Sequence, residues 1–264
     1  MVPLPPSLAR APVARATRAA WLDLVLGSSC AGCGALGPPV CEPCLTVLPE
    51  PTPTAPRPTP EGFPRCWSSG EYVGLLAEAV VAHKERGRTA VAPFLGDRLA
   101  ASVAALLVAG QRVGPRPVVL VPVPSSPGAA RARGDDPLAR VVRLAARRLR
   151  RDGHDVRVHP LLRSRGGVLD QGGLTAARRA DNLVGSMHCP SPRLVPVARL
   201  TRSGPAPVIV LCDDVVTTGA TLVEARRALL SVGAPPVGAA VVAAVPRRVP
   251  TRRVGAGRTP RTPV

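Results

Sequence analysis

The chain has 264 residues, of which 45% are hydrophobic, so it can fill the core of one medium-sized domain with smaller attachments. Aromatic residues account for only 2%, which argues against a surface that stacks the bases of single-stranded nucleic acid and leaves Val, Leu and Ala to build the core. The formal net charge of +18 indicates either a polyanionic partner or a coding bias towards arginine, since Lys84 is the single lysine among 35 Lys and Arg residues.

The N-terminal region, residues 1–27, is rich in Pro, Ala and Arg and is predicted to be a flexible extension. It lacks a long apolar core followed by a clear small-residue cleavage site, so we expect no signal peptide. No apolar stretch reaches membrane-spanning length without a charge. These features favour a cytoplasmic protein without membrane insertion.

Four cysteines follow in two Cys-x-x-Cys pairs, at Cys30, Cys33, Cys41 and Cys44. Two such pairs can form two tight turns around one ion, and four thiolates complete the closed tetrahedral set of a structural zinc site. The alternative is two disulfides, which the reducing environment of a cytoplasmic protein disfavours. We therefore predict a zinc-ribbon-like module over residues 28–50 that holds Zn²⁺ and performs no chemistry.

Residues 51–65 contain six prolines and are predicted to form a stiff, extended linker to the main domain, residues 66–246. That domain alternates between helical and extended patterns. Helical spacing occurs at 75–83, 93–110 and 137–151, and strands are predicted at 118–121, 155–162, 208–212 and 237–245. The alternation predicts an α/β domain with a parallel sheet and right-handed crossovers. Residues 163–182 form a Gly- and Arg-rich excursion, and residues 247–264 are predicted to be a basic, disordered tail.

The most informative stretch is residues 208–222, VIVLCDDVVTTGATL. An apolar strand is predicted to end at Asp213 and Asp214, and a hydroxyl-rich loop then leads to a helix that runs to about residue 232. Backbone N–H groups at a helix start bind phosphate, glycine allows close approach, and carboxylates accept hydrogen bonds from ribose hydroxyls. The stretch therefore predicts a sugar-phosphate site. The alternative is an ordinary strand–turn–helix in which Asp and Thr are turn and capping residues.

This stretch resembles the 5-phosphoribosyl-1-diphosphate (PRPP) motif of type I phosphoribosyltransferases. The resemblance implies that PRPP is bound by the acidic pair and the loop after it, at Asp213, Asp214, Val215, Thr217, Thr218, Gly219, Ala220 and Thr221. It also implies that Asp213 and Asp214 are catalytic, because they would hold the ribose diol and help to position Mg²⁺.

Further motifs, over about residues 28–246, resemble the ComF-type phosphoribosyltransferase-like proteins. They are the four-cysteine module, Tyr72-Val73-Gly74, Lys84 with Gly87, Val121-Pro122-Val123-Pro124, Arg133-Gly134, and Gln171 with Leu174, Arg179 and Asn182. The family implies a type I phosphoribosyltransferase fold, a parallel Rossmann-like sheet flanked by helices, and a link to DNA uptake and natural transformation.

The same resemblance implies a pyrophosphate loop and a flexible hood at residues 163–182. The pyrophosphate site would contain Pro124, Ser125, Arg131, Arg133 and Lys84. One departure is that Asp135 and Asp136 follow Arg-Gly, where the family usually has an aromatic and a polar residue. Two carboxylates beside a pyrophosphate are unfavourable unless a divalent ion is present.

Two functions remain open from the sequence. The first is a Mg²⁺-dependent phosphoribosyltransferase that transfers a phosphoribosyl group to an unidentified acceptor and releases pyrophosphate. The second is a non-catalytic module that senses PRPP or a nucleotide and binds single-stranded DNA or proteins of DNA uptake and recombination. The first requires an acceptor pocket, whereas the second requires only the phosphate and ribose sites and a basic surface.

Overall fold

A six-stranded, mostly parallel sheet is the framework of the domain. The computed structural model describes residues 29–110, 116–124, 136–165 and 185–246. In chain order the strands of this sheet are β1 (Thr52–Thr54), β2 (Cys66–Ser68), β3 (Val118–Pro122), β4 (Val156–Val158), β7 (Val208–Val216) and β8 (Gly238–Ala244). Two further strands, β5 (Arg163–Ser164) and β6 (Met187–His188), form a separate antiparallel pair.

The strand order β1-β2-β8-β7-β3-β4 places β7 near the middle of the sheet. β1 runs antiparallel to β2, and the other pairs of this sheet are parallel. The chain leaves β3 towards β4 on one side and leaves β7 towards β8 on the other. The connections therefore diverge between β3 and β7. In α/β sheets, the crevice at the carboxyl ends of two such strands is where ligands bind, and we call it the β3–β7 crevice.

Helices cover the sheet between the strands. They are α1 (Glu42–Thr46), α2 (Gly74–Lys84), α3 (Ala92–Ala109), α4 (Pro137–Arg151), α5 (Ser191–Ser203) and α6 (Ala220–Leu230), with a 3₁₀ turn at Thr89–Val91 before α3. α4 shows how the sequence sets the buried face of a helix. Its apolar residues recur at helical spacing and are buried, at Leu138, Val141, Val142, Ala145, Ala146 and Leu149.

Val, Leu and Ala fill the core, as the composition predicts. Every residue of β3 and β8 is buried, which is typical of parallel strands covered on both faces. Helices α3 and α4 pack tightly at Gly96, where a Cβ atom would lie 2.6 Å from Cβ of Leu144. Because the interior is close-packed, any larger residue at this position would push the two helices apart.

The helical stretch Thr89–Ala109 is long and apolar enough to cross a membrane by length and composition. In the structure, 61% of its most apolar window is buried, and α3 packs against α4 and β8. The apolar character of this stretch is therefore explained by its place in the core, in agreement with the buried helix predicted from the sequence.

The start of the segment predicted as a linker is part of the sheet, because β1 lies within it and pairs with β2. The cysteine module also contacts the main domain. Arg98 donates a hydrogen bond to the carbonyl of Pro49, and Arg88 donates one to the carbonyl of Ser29. The prolines of this segment indicated an extended linker, so β1 was not predicted from the sequence. An edge strand tolerates proline, since the missing N–H group is not needed on its outer side.

The central strand β7 is longer than predicted. It does not end at Asp213 but continues to Val216, because β8 pairs with it as far as Val216↔Ala244. On its other edge the pairing with β3 stops at Pro122↔Cys212. The two carboxylates therefore lie in a part of β7 that is bonded to β8 and free of β3, at the entrance of the β3–β7 crevice.

Other predictions are matched with small shifts, but the helices α1 and α5 and the short strands β2, β5 and β6 were not predicted. The predicted strand at 155–162 is observed as β4, and β3 extends into Pro122. α5 was not predicted, since Pro192 and Pro196 interrupt its pattern. Residues 1–27, the tail at 247–264 and residues 166–182 of the predicted excursion lie outside the described residues.

Glu224, which the sequence analysis did not single out, joins α6 to β6. Its side chain is buried, and Oε1 accepts a hydrogen bond from the backbone N–H of Met187 at 2.8 Å. Arg227 donates to both Glu224 oxygens and to the carbonyl of Met187. Burial alone would raise the pKa of the Glu224 carboxyl, but Arg227 and the backbone donors outweigh it and lower the pKa. Glu224 and Arg227 thereby attach the β5–β6 strand pair to α6.

Candidate functional site

The loop after β7, residues 217–221, joins the end of β7 to the start of α6, and we call it the phosphate loop. Thr217 and Thr218 are exposed, whereas Gly219 is buried. Gly219 has a φ of 80°, a left-handed conformation that favours glycine, and it is the N-cap residue of α6. No side chain caps this helix within the described chain, so its first N–H groups are available to an anion.

The two carboxylates of the site differ in their surroundings. Consecutive strand residues point to opposite faces of a sheet, so Asp213 and Asp214 diverge. Asp214 lines a small cavity with Val80 of α2 and Leu138 of α4. Its Oδ2 lies 2.7 Å from Nζ of Lys84, the last residue of α2. The structure therefore brings the one lysine of the chain to the acidic pair.

These surroundings shift two pKa values in the site. Burial, and then the charge of Asp214, raise the pKa of Asp213 well above its ordinary value. Burial lowers the pKa of Lys84, but the Asp214 carboxylate outweighs it and leaves the pKa above its ordinary value. Asp214 is thus paired with a cation, whereas Asp213 accepts a hydrogen bond from the backbone N–H of Asp214 at 2.8 Å. Approach of a cation or of hydroxyl donors would favour the ionised form of Asp213.

The predicted pyrophosphate loop is described only at its start. Pro124 follows β3 at the β3–β7 crevice, and Ser125, Arg131 and Arg133 lie outside the described residues. Asp136 has a structural role. Its Oδ1 accepts hydrogen bonds from Leu138 N at 3.0 Å and Ala139 N at 3.2 Å, which caps α4. An aspartate was unexpected so close to a pyrophosphate site. The capping of α4 explains why it stands at this position.

Two residues beside the phosphate loop were missed from the sequence. A Cβ atom at Gly219 would lie 2.7 Å from the ring of Phe63 and 3.0 Å from Cγ of Pro56. Both residues belong to the segment predicted as a linker. The sequence offered no local signal for this contact, because the two residues are more than 150 positions from Gly219 in the chain.

The four predicted zinc ligands form a cluster. The Sγ atoms of Cys30, Cys33, Cys41 and Cys44 all lie within 4.8 Å of one another. Those of Cys33 and Cys41 are 3.6 Å apart. Zn–S bonds of about 2.3 Å in a tetrahedron place sulfur atoms about 3.8 Å apart, so the cluster has the size of a zinc site. All four cysteines are free, which excludes the disulfide alternative in this structure.

The electrostatics of the cluster also fit a divalent cation. Burial raises the pKa of the Cys30 thiol, but N–H donors that include those of Gly32 and Cys41 outweigh it and lower the pKa to about 6. The neighbouring thiol of Cys41 and burial raise the pKa of Cys44 to about 12. One thiolate thus forms readily, and each further thiolate is opposed by the charge already present. A bound Zn²⁺ ion removes that repulsion and deprotonates its thiol ligands.

Residues 172–257 match the family model of the phosphoribosyl transferase domain, about a third of the chain. No curated protein matches the chain. The matched region contains β7, the phosphate loop, α6 and β8, so it includes the acidic pair. With the mostly parallel sheet and its flanking helices, this confirms the predicted type I phosphoribosyltransferase fold. The four-cysteine cluster before it is consistent with a zinc-ribbon-like module.

Purified without chelators, the protein is expected to contain one zinc ion per chain, because four thiolates close the coordination shell. The double variant Cys41→Ser/Cys44→Ser should contain none. It should also melt at a lower temperature, since the module packs on the main domain. Elemental analysis and thermal melting measure both effects. Cys189→Ser, a free buried cysteine outside the cluster, is the control and should retain the ion. A metal-free wild-type protein would contradict the assignment.

Asp213→Asn is expected to stabilise the protein at neutral pH. The folded state raises the pKa of Asp213, so it binds more protons than the unfolded state above the ordinary value of 3.8. Wild-type stability should therefore fall as pH rises from that value through the raised pKa, and the variant should avoid this loss. Urea denaturation between pH 3 and 8 measures it, with the exposed Asp97→Asn as the control. If the unfolding free energy of Asp213→Asn and wild type depended equally on pH, Asp213 would ionise in the folded protein without loss of stability.

Proposed function

We propose that this protein binds PRPP in the β3–β7 crevice and, as a ComF-type phosphoribosyltransferase, transfers its phosphoribosyl group to an acceptor with release of pyrophosphate. The observation that supports this most is the left-handed Gly219 at the start of α6, three residues beyond a strand that carries two carboxylates to the entrance of the crevice. A phosphate donor site and a diol acceptor site are thereby joined by a few residues. This spacing suits a sugar phosphate better than an isolated phosphate.

The phosphate loop binds the 5-phosphate in this proposal. Its backbone N–H groups and the hydroxyls of Thr217, Thr218 and Thr221 donate hydrogen bonds to phosphate oxygens. Val215 and Ala220 contribute backbone groups. Asp213 and Asp214 accept hydrogen bonds from the ribose hydroxyls. Lys84 forms an ion pair with Asp214 at 2.7 Å, and its predicted contact with pyrophosphate stays a prediction.

In the transfer reaction, the bond between C1 of the ribose and the pyrophosphate oxygen breaks, and its electron pair leaves with pyrophosphate. A lone pair on the acceptor forms the new bond to C1, and the acceptor loses a proton. Mg²⁺ bound with PRPP would offset charge on the pyrophosphate, and the carboxylates of Asp213 and Asp214 are oxygen ligands of the type that it prefers. No nucleophile of the protein is needed.

Asp213 is the proposed acceptor of that proton. A general base is most effective when its pKa lies near the working pH. Burial already raises the pKa of Asp213 towards that range, whereas Asp214 forms an ion pair with Lys84. The two carboxylates would therefore have different roles. Asp214 binds the ribose, and Asp213 binds the ribose and also accepts the proton of the acceptor.

The ribose assignment predicts opposite effects on two ligands. Asp214→Asn should weaken PRPP binding by about 1.5–3 kcal/mol, as expected for loss of hydrogen bonds to a charged group. Inorganic phosphate should bind at least as well as before, because a negative charge is removed. Calorimetric titration of both ligands measures this, with Asp97→Asn as a matched loss of one exposed carboxylate. Tighter PRPP binding by Asp214→Asn would show that the carboxylate only repels anions and would remove the basis of the proposal.

An assay of pyrophosphate release distinguishes phosphoribosyl transfer from PRPP binding alone. Wild-type protein with PRPP, Mg²⁺ and a panel of bases should release pyrophosphate when the correct acceptor is present. PRPP binding without release in any mixture would favour the non-catalytic module, and addition of single-stranded DNA to the same mixtures tests whether such a partner is required.

A second candidate function, nucleic-acid binding, is supported by the outer face of α4. Arg143, Arg147 and Arg151 lie four residues apart, so they form one stripe along the helix. All three are exposed, and none has a hydrogen bond or ion pair within the described chain. Such a row of unpaired guanidinium groups suits a phosphate backbone, which attracts cations whatever its sequence.

Removal of the stripe should weaken binding of single-stranded DNA and leave PRPP binding unchanged. For Arg143→Ala/Arg147→Ala, the slope of log affinity against log salt should fall by about 1.4, as expected for two phosphate contacts to a single strand. Arg199→Ala/Arg202→Ala removes the same charge from exposed positions on α5 and is the control. Equal losses in both variants would indicate a general charge effect, and no loss would exclude the α4 face.

A further inference from the structure

Residues 55–65, which connect β1 to β2, fold over the start of α6, and we call them the proline segment. Phe63 and Pro56 of this segment cover the Cα of Gly219, since a Cβ atom there would lie 2.7 Å from the ring and 3.0 Å from Cγ of Pro56. Phe63 is partly buried and packs against the core. The left-handed turn of the phosphate loop is therefore in direct contact with an aromatic side chain.

The proline segment is held in place along its length. Its two ends are fixed by β1 and β2, which pair with each other in the sheet. Arg226 of α6 donates a hydrogen bond to the carbonyl of Gly62 at 3.2 Å. Within the segment, the hydroxyl of Thr59 donates to the carbonyl of Pro56 at 2.8 Å. The position of Phe63 is thus set by contacts on both sides of it, and not only by its contact with Gly219.

Strand order shows from which edge of the sheet the proline segment approaches the phosphate loop. The proline segment comes from the β1–β2 edge of the sheet, and β8 separates β2 from β7. The β3–β7 crevice lies on the other side of β7. The proline segment therefore approaches the phosphate loop from the edge of the sheet that is remote from the crevice.

We infer that Phe63, with Pro56, is a positioning residue for PRPP binding: its ring holds the Gly219 turn in the left-handed conformation that aims the first N–H groups of α6 at the 5-phosphate. This inference rests on the proposed function. Glycine has the largest conformational freedom of any residue, so a loop built on it must be restrained from outside. A site that is already ordered loses less entropy when the ligand binds.

The test compares Phe63→Ala with Phe63→Leu and Phe94→Ala. Leucine restores most of the apolar volume at the same site. Phe94 is the only other phenylalanine of the sequence, is partly buried against the core, and lies near Leu45 and Leu48 of the cysteine module. Phe63→Ala should weaken PRPP binding about tenfold, as a small misplacement of binding groups does. Phe63→Leu should recover most of the affinity, and Phe94→Ala should keep it. Thermal melting gives the stability of each variant.

Hydrogen exchange provides a readout that needs no ligand. In Phe63→Ala, the amides of residues 218–222 should exchange faster than in wild type, while those of β3 remain unchanged, and Phe94→Ala should leave the loop amides protected. If wild type does not bind PRPP, the proposed function fails, and exchange still decides whether Phe63 orders the loop. Unchanged exchange and affinity in Phe63→Ala overturn the inference alone. Tighter PRPP binding by Phe63→Ala also overturns it, since the ring would then cover the site. If Phe63→Ala does not fold, Phe63→Leu and Pro56→Ala are measured by the same two readouts.

Discussion

Pairing of β7 on both of its edges is the constraint on which the site depends. Over Val208–Cys212 the strand is bonded to β3, and over Val210–Val216 it is bonded to β8. The difference in length leaves the last residues of β7 bonded on one side only. The acidic pair is thereby held rigidly by β8 and opened towards β3. A strand that stopped with its β3 pairing would leave the carboxylates on a loop, without a fixed direction for either of them.

The acidic pair illustrates how burial can give two identical side chains different properties. The strand turns Asp214 towards α2, where Lys84 compensates its charge. Asp213 points to the opposite face, where burial and the charge of Asp214 outweigh the lowering of its pKa by Lys84 and by the backbone N–H of Asp214. In the reaction we propose, this difference assigns proton transfer to Asp213 and leaves Asp214 paired with Lys84. The asymmetry follows from the pleat of one strand and the length of one helix.

Much of the domain could be predicted from local patterns. Buried apolar runs located β3, β7 and β8, helical spacing located α3 and α4, and the cysteine spacing located a cluster of metal-binding size. Contacts between distant parts of the chain could not be predicted in this way. The Lys84–Asp214 pair, the contact of Phe63 with Gly219 and the attachment of Met187 to Glu224 each join residues far apart in sequence. β1 was missed for another reason: its composition indicates an extended chain, and only the presence of β2 makes it a strand.

The outermost strands of the sheet, β1 and β4, are each three residues long. β1 carries Pro53, which has no N–H group to offer a new strand, and β4 carries the exposed Arg157. Short strands with proline or charge are how natural sheets avoid pairing with strands of other molecules. In a chain with so few aromatic residues and a large apolar content, this protects the sheet against edge-to-edge aggregation. An engineered variant that lengthened β1 and replaced Pro53 would gain a hydrogen-bonding edge and lose that protection.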